Sequence, residues 1–200
     1  IVGQVNYIDL NKNRFEIITL DGKYNNKIFD GCISSRDAKL DFDFDGTINL
    51  RGQVPKYKFT STIYDSKPAK LGLLERSGLK TRFSTSLYID MEGTNIDNMI
   101  GTIKLEGADY KDIEDEFLID NFEIKSFFTE NKERHLEINS DVADLNFIGN
   151  FKFNELDKTF KHFIGTYLPY FEEYRGDQFA SENNFEFTAK VKETSLISKI

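Results

Sequence analysis

The clearest pattern in the chain is an alternation of apolar and polar residues over positions 40–50, LDFDFDGTINL. Successive side chains of an extended strand point to opposite faces, so the Leu, Phe and Ile residues share one side and the Asp residues the other. Three neighbouring carboxylates belong in water rather than in a closed interior. The stretch therefore predicts a strand with one apolar face and one solvated face.

The same alternation recurs along most of the chain, between short turns that carry Gly, Asn and Asp. It predicts a mainly β protein of roughly ten antiparallel strands. High Phe and low Pro content, 19 and 3 residues, is typical of long paired strands. The inward positions that we select from these rows are Leu40, Phe42, Phe44, Ile48, Leu50, Phe59, Ile63, Phe83, Leu87, Ile89, Ile103, Leu105, Ile119, Phe122, Ile124, Leu136, Ile138, Phe147, Phe151 and Phe153.

A short motif, apolar–x–Gly–x–apolar, repeats inside the predicted strands. It occurs around Gly31 and Gly46, and with altered spacing around Gly149. Glycine inside a strand allows a bend or a close approach of two backbones. Repeated at intervals, it would curve a sheet without closing it, so we expect a curved, open antiparallel sheet.

Two inserted helices are predicted, near 68–76 and 155–173. The first has Pro68 in its first turn and Gly78 just beyond its end, and the second follows a capping Asn154. The apolar stripe of the second helix either packs over the apolar face of the sheet or plugs a groove on it. Residues 174–184 are polar and predict a mobile loop.

Charge and cysteine content exclude several classes of function. The 200 residues carry a net charge of −8, and Lys and Arg are scattered singly, which argues against a nucleic-acid partner. Cys32 is the one cysteine of the sequence, so an internal disulfide cannot form. The chain starts at Ile1 and ends within another apolar pattern, so we interpret residues 1–200 as one β-repeat fragment of a larger protein.

Candidate chemical sites are weak. Asp41, Asp43 and Asp45 alternate with Phe along a strand, whereas a calcium loop needs a turn and further ligands. His135 and His162 have no partner at metal-ligand spacing, and the tripeptide at 175–177, an integrin-recognition pattern, is too short to be specific. We therefore expect no catalytic residue, no metal and no cofactor, and Cys32 is expected to be an outward, inert residue of a strand.

Five passages in this order carry a resemblance: LDFDFDGTINL, YKFTSTIYDSKPAKLGLL, FSTSLYIDMEGTNIDNMIGTIKLEGADY, FLIDNFEIKS and LEINSDVADLNFIGNFKFNEL. They resemble the TamB family (translocation and assembly module) of the wider AsmA-like group, in the variety of one lineage of Gram-negative bacteria. The resemblance runs from Phe29 to Leu168. It depends on the order of the elements, and the family has no catalytic signature to transfer, so an enzyme is not expected.

The resemblance implies a periplasm-spanning protein of the cell envelope that is anchored in the inner membrane. Its strands would form a long U-shaped, taco-like trough with an apolar lining. Phospholipid would then move between the inner and outer membranes along a groove lined by the inward positions selected above. The alternatives are a scaffold for outer-membrane barrel assembly with a BamA-type partner, working through its sheet edges, and a closed adhesin-like β-sandwich.

Overall fold

The structure, a computed structural model, describes residues 1–10, 13–71, 81–112, 116–153, 155–156, 159 and 183–192. These residues form one antiparallel sheet of eleven strands that is open rather than closed into a barrel. Strands account for 74% of them, which confirms the prediction of a mainly β chain.

The strands follow one another in the sheet in chain order, so the sheet is a meander with β1 and β11 at its edges. Every neighbouring pair is antiparallel, as short connections between consecutive strands require. The strands are β1 (Val2–Leu10), β2 (Asn13–Asn25), β3 (Ile28–Asp37), β4 (Leu40–Asn49), β5 (Lys56–Ser66), β6 (Arg82–Glu92), β7 (Ile100–Lys111), β8 (Glu116–Phe128), β9 (Arg134–Ser140), β10 (Ala143–Asn150) and β11 (Asn184–Val191).

The register keeps apolar residues of different strands on one face. Phe59, Ile89, Ile103, Ile124 and Ile138 form one row across five strands, and each is the register partner of the next. Register partners share a face, so the row is continuous. We call the side of the sheet that carries this row the apolar face, and the other side the polar face.

A local irregularity preserves this arrangement in the middle of the sheet. In β7 the apolar face passes from Leu105 to Ala108, three residues on, across Gly107, which has a φ of +59°. In β8 the apolar face passes from Ile119 to Phe122, also three residues on, and these two residues are the register partners of Ala108 and Leu105. Both strands shift phase together, so their apolar residues stay on one side despite the break in alternation.

Glycines and aromatic rings alternate on the apolar face of β3 to β5. Gly31 and Gly46 are register partners with φ values of +154° and +151°. A Cβ atom on Gly46 would lie 2.5 Å from Cβ of Phe59 and 2.4 Å from the Lys58 carbonyl oxygen. Of the two roles that the sequence leaves open for these glycines, a bend or a close backbone approach, the structure shows the close approach, because the neighbouring strand occupies the space of the missing side chain.

The predicted helices and loop fall mainly outside the described residues. Residues 68–71 form a turn in which the Leu71 amide donates to the Lys67 carbonyl at 3.1 Å, and 72–76 lie outside the described part. Of 155–173, the structure describes residues 155, 156 and 159 alone, and it defines no complete helix in the part that it describes. Of 174–184, residues 183 and 184 are described, and Asn184 begins β11.

The contact at Gly46 makes a test of the fold. Gly46→Ala is expected to lower the free energy of unfolding by about 2 kcal/mol or more, because β5 must move to admit the methyl group. The matched control is Gly3→Ala, since nothing lies within 4 Å of a Cβ atom built on Gly3. Urea denaturation should show a change below about 0.5 kcal/mol for the control. Equal changes in the two variants would contradict the close approach.

Candidate functional site

The apolar face is the candidate site, and the register places nearly all of the predicted residues on it. Of the twenty predicted positions, all except Leu50, Phe151 and Phe153 lie in strands and on this face. Leu50 lies one residue beyond β4 and is 46% exposed. Phe151 and Phe153 follow β10 and turn back onto the face.

One end of the apolar face, over β8 to β11, is a packed core. Leu136, Phe147 and Phe151 are 3%, 6% and 7% exposed, and Phe153 and Leu156 pack against them. The Phe147 and Phe151 ring centroids are 6.1 Å apart. This part of the face is covered by the chain segment that follows β10, so we call it the covered end.

The remainder of the apolar face, over β4 to β7, is a single layer in the part of the chain that the structure describes. Each of these strands makes its strand–strand contacts with its neighbours in the sheet, and no second sheet packs over them. Phe42, Phe59, Leu87 and Ile103 are accordingly half-buried, although a closed core would bury such side chains. We call this part the open region; among the described residues, it does not have the second layer of a closed sandwich.

Aromatic contacts on the apolar face join β3 to β4 and β5 of the open region. The ring centroids of Phe29 and Phe44 are 6.2 Å apart, and those of Phe44 and Phe59 are 4.7 Å apart. Phe44 is the buried member of this ladder. Phe29, like Ile33 and Tyr57, belongs to the apolar face without being among the predicted positions, and the same alternation in sequence could have found all three.

Three hydroxyl groups on the apolar face form hydrogen bonds within the described structure. Ser61 donates to the Asp43 carbonyl at 2.7 Å, and Ser126 donates to the Met99 carbonyl at 2.9 Å. Thr85 lies 3.2 Å and 3.3 Å from the carbonyl oxygens of Ser86 and Glu106. Because these donors are already bonded, they offer little directional recognition to a ligand.

Arg134 is a buried cation at the covered end, and it is 3% exposed. Its guanidinium donates to the carbonyls of Ile96, Asp97 and Met99 and to the Ser126 hydroxyl, and it lies 4.4 Å from the centroid of the Phe153 ring. Burial lowers the pKa of Arg134, and nearby Asp97 opposes that shift. Arg134 therefore fixes the loop between β6 and β7 against the segment that covers the sheet.

The Asp97 carboxylate completes this connection, because its Oδ1 accepts a hydrogen bond of 2.8 Å from the Phe153 backbone amide. The loop is also closed internally. Asn98 Oδ1 accepts from the amides of Thr94 and Asn95 at 2.8 Å and 3.0 Å. Nothing in the local pattern around Arg134 indicates its burial, since its partners lie 35 to 38 residues earlier in the chain.

The polar face carries cross-strand ion pairs. Arg36 binds Asp41 at 3.0 Å and Asp43 at 2.7 Å, so two of the three aspartates in the 40–50 stretch pair with arginine. The hydrogen bond from Arg36, with a second from Tyr64, lowers the pKa of Asp43. Hydrogen bonds from Lys125 and Lys104, at 2.9 Å and 3.0 Å, lower the pKa of Glu123.

The remaining candidates from the sequence show little chemistry. Cys32 is exposed on the polar face, as predicted, and its pKa is raised by the hydrogen bond to Asp45. His135 Nε2 lies 2.6 Å from Asn146 Oδ1, and its ring centroid is 4.6 Å from that of Phe127. His162 and residues 175–177 lie outside the described residues.

Several concavities of the described sheet lie on the polar face. One of them, about 870 Å³, spans β5 to β8 over side chains of the polar rows. A twisted sheet is saddle-shaped, so each of its two faces is concave along one diagonal. None of these concavities lies over the open region of the apolar face.

Comparison of the chain with protein-family models, curated proteins and solved structures returned no match. Within the described residues, no helix is both long and apolar enough to cross a bilayer, and no group of three or more His, Cys, Asp or Glu side chains is arranged to hold a metal ion.

The lowered pKa of Glu123 predicts an acid dependence of stability. A carboxyl with a lower pKa in the folded state contributes stability above its unfolded pKa, about 4.3, and this is lost as pH falls through the folded value. Glu123→Gln should therefore flatten the loss of stability as the pH falls below about 5, measured as urea midpoints. The control is Glu116→Gln, whose carboxylate is 61% exposed and pairs with Lys111. Equal flattening in both variants would contradict a special role for Glu123.

Replacement of Arg134 tests the connection at the covered end. Arg134→Met removes the guanidinium from three carbonyls, of which only that of Met99 keeps a second donor, Ser126, so we expect the free energy of unfolding to fall by about 2–4 kcal/mol. Hydrogen exchange at the Phe153 amide should accelerate as well. Arg82→Met is the control, because the Arg82 side chain is 68% exposed. This substitution should lower the free energy of unfolding by less than about 1 kcal/mol. An Arg134→Met protein as stable as the parent would contradict this role.

Proposed function

We propose that the open region of the apolar face binds the acyl chains of phospholipids and that the protein carries lipid between the two membranes of a cell envelope. The observation that supports this most directly is a row of large apolar side chains that crosses the sheet in register, is half-buried and has no second layer over it in the described residues. Such a surface needs an apolar partner, because apolar area in water is costly.

The chemistry of the face favours a hydrocarbon partner. Most of its large side chains are Phe, Ile and Leu, with Tyr57, Met91 and Tyr110 among them, and the hydroxyls of Ser61, Thr85 and Ser126 are hydrogen-bonded. Removal of one CH₂ group from water contributes about 0.8 kcal/mol, without directional preference. An acyl chain that slides along the rows exchanges equivalent contacts, so its movement meets small barriers. A lipid conduit needs such small barriers to movement, whereas a high-affinity pocket does not.

The finer features of the proposal come from the resemblance to the TamB family. We propose a curved, U-shaped trough in the periplasm, within a protein anchored in the inner membrane. The open, eleven-stranded meander supports this architecture, because such a sheet extends by adding strands at its edges. The covered end, with Phe151 and Phe153 folded onto the face, would then limit how far acyl chains reach towards β11.

A second candidate is a scaffold for the assembly of outer-membrane barrels with a BamA-type partner. The observation that favours it is the edge strand β1, VGQVNYIDL, which contains neither Lys nor Pro. Val2, Tyr7 and Ile8 of this strand are 80%, 53% and 41% exposed. Edges without lysines or prolines accept additional strands more readily. Cross-linking of β1 to a client strand, with no bound lipid, would favour this candidate over the conduit.

Lipid binding is tested with the purified protein and with a variant in which two facing residues are replaced. Solvent extraction and mass spectrometry should recover phospholipid, and transfer of a fluorescent phospholipid between vesicles should be accelerated. Ile89→Asp with Ile103→Asp places two charges on facing positions, so we expect at least about a tenfold loss of transfer, since burying unpaired carboxylates is costly.

The matched control is Asp90→Asn with Thr102→Asp, which alters the adjacent facing pair on the polar face. This control should transfer lipid like the parent. If the Ile89 and Ile103 variant unfolds by circular dichroism, the residues are ordinary core. A lipid-free parent protein that transfers nothing would contradict the proposal whatever the variants do.

A further inference from the structure

A concavity on the polar face of the described sheet has a lining unlike that of the apolar face. It holds about 870 Å³ on the polar face of β5 to β8, and we call it the polar groove. Hydroxyl groups of Thr60, Thr62, Ser86 and Thr102 line it together with the Tyr88 ring. Register pairs Thr60 with Tyr88 and Thr62 with Ser86, so these groups form a compact block on two strands.

Charged groups of the polar groove are mostly neutralised by one another. Glu123 binds both Lys104 and Lys125, and Asp90 binds Lys58 at 2.9 Å and accepts from the Tyr88 hydroxyl at 3.2 Å. Three carboxylates (Asp90, Glu106 and Glu123) thus face three ammonium groups (Lys58, Lys104 and Lys125), and the formal charges cancel. A charged ligand would have to break these pairs, and phosphate backbones would also meet the carboxylates.

The neutral hydroxyl groups of the polar groove remain available to a ligand, in contrast to several hydroxyl groups of the apolar face. No hydrogen bond joins the side-chain hydroxyls of Thr60, Thr62, Ser86 or Thr102 to any other described residue, and the Glu106 carboxylate makes no ion pair there. On the apolar face, by contrast, the hydroxyls of Ser61, Thr85 and Ser126 bond to backbone carbonyls. The polar groove therefore presents neutral donors and acceptors, one carboxylate and one aromatic ring, with little net charge.

A neutral oligosaccharide matches this set. Its hydroxyls each donate and accept, as Ser and Thr hydroxyls do, and a carboxylate accepts from two neighbouring sugar hydroxyls. A polypeptide matches less well, because peptides join sheets through their edges, whereas this surface lies over inner strands whose backbone groups are paired. Apart from the Tyr88 ring, the polar-face side chains of the groove offer no apolar anchor for a peptide side chain.

From this juxtaposition we infer that the polar groove, formed by the unpaired hydroxyls of Thr60, Thr62, Ser86 and Thr102 beside Glu106 and Tyr88, is a binding site for a neutral glycan chain. This site is separate from the apolar face and does not depend on lipid binding. A sheet with one face for acyl chains and the other for sugars would be suited to an envelope in which both are abundant.

Titration of the ¹⁵N-labelled protein with maltohexaose, cellohexaose and laminarihexaose tests the inference by nuclear magnetic resonance. At least one of these neutral hexasaccharides should give saturable shifts at Thr60, Thr62, Ser86, Tyr88 and Thr102, with a Kd of about 1 mM or tighter. A heparin hexasaccharide should not. No saturable shifts at these residues with any of the three neutral probes, or equal binding of the heparin probe, overturns the inference.

A double variant separates specific contacts from nonspecific ones. Thr60→Val with Thr62→Val removes two hydroxyls at nearly constant shape and favourable strand propensity, so the fold should persist while binding weakens at least about tenfold. The control is Thr188→Val, which removes a hydroxyl from β11, away from the groove, and should leave binding unchanged. Unchanged affinity in the double variant also overturns the inference.

Discussion

The structure depends on one constraint: every strand must keep the same side-chain phase as its neighbours. In a single-layer sheet, a slip of one residue in any strand would bring its apolar side chains into the polar rows. The shift from Leu105 to Ala108 in β7 shows how strictly the constraint is met, because β8 makes the matching shift from Ile119 to Phe122. The two irregularities compensate each other, and the apolar face continues across them.

From this constraint follows a sheet with two chemically different surfaces. On the apolar face, hydroxyls such as that of Ser126 bond to backbone carbonyls, and what remains for a partner is hydrocarbon. On the polar face, ion pairs such as Lys58–Asp90 balance the charge, and hydroxyls such as that of Thr62 remain available. The covered end differs from both, because Arg134 holds the following segment against the sheet and makes a local packed core there.

Much of the fold could be predicted from the sequence because the pattern has period 2 and the strands follow in chain order. The alternation in 40–50 identifies both faces of β4, and Gly46 marks the close approach to β5. Arg134 could not be found in this way, since its burial depends on carbonyls contributed by a distant loop. The end of β4 before Leu50 could not be predicted either, because the apolar pattern continues where the strand pairing stops.

The central claim is that acyl chains lie on the open region of the apolar face. Paramagnetic broadening by a phospholipid with a spin label on its acyl chain measures this contact residue by residue. We expect broadening of side-chain signals with period 2 along β4 to β7, strong at Phe42, Ile89 and Ile103 and weak at Asp90 and Thr102, which lie on the other face. Broadening that is absent, or equal on the two faces, would contradict the account.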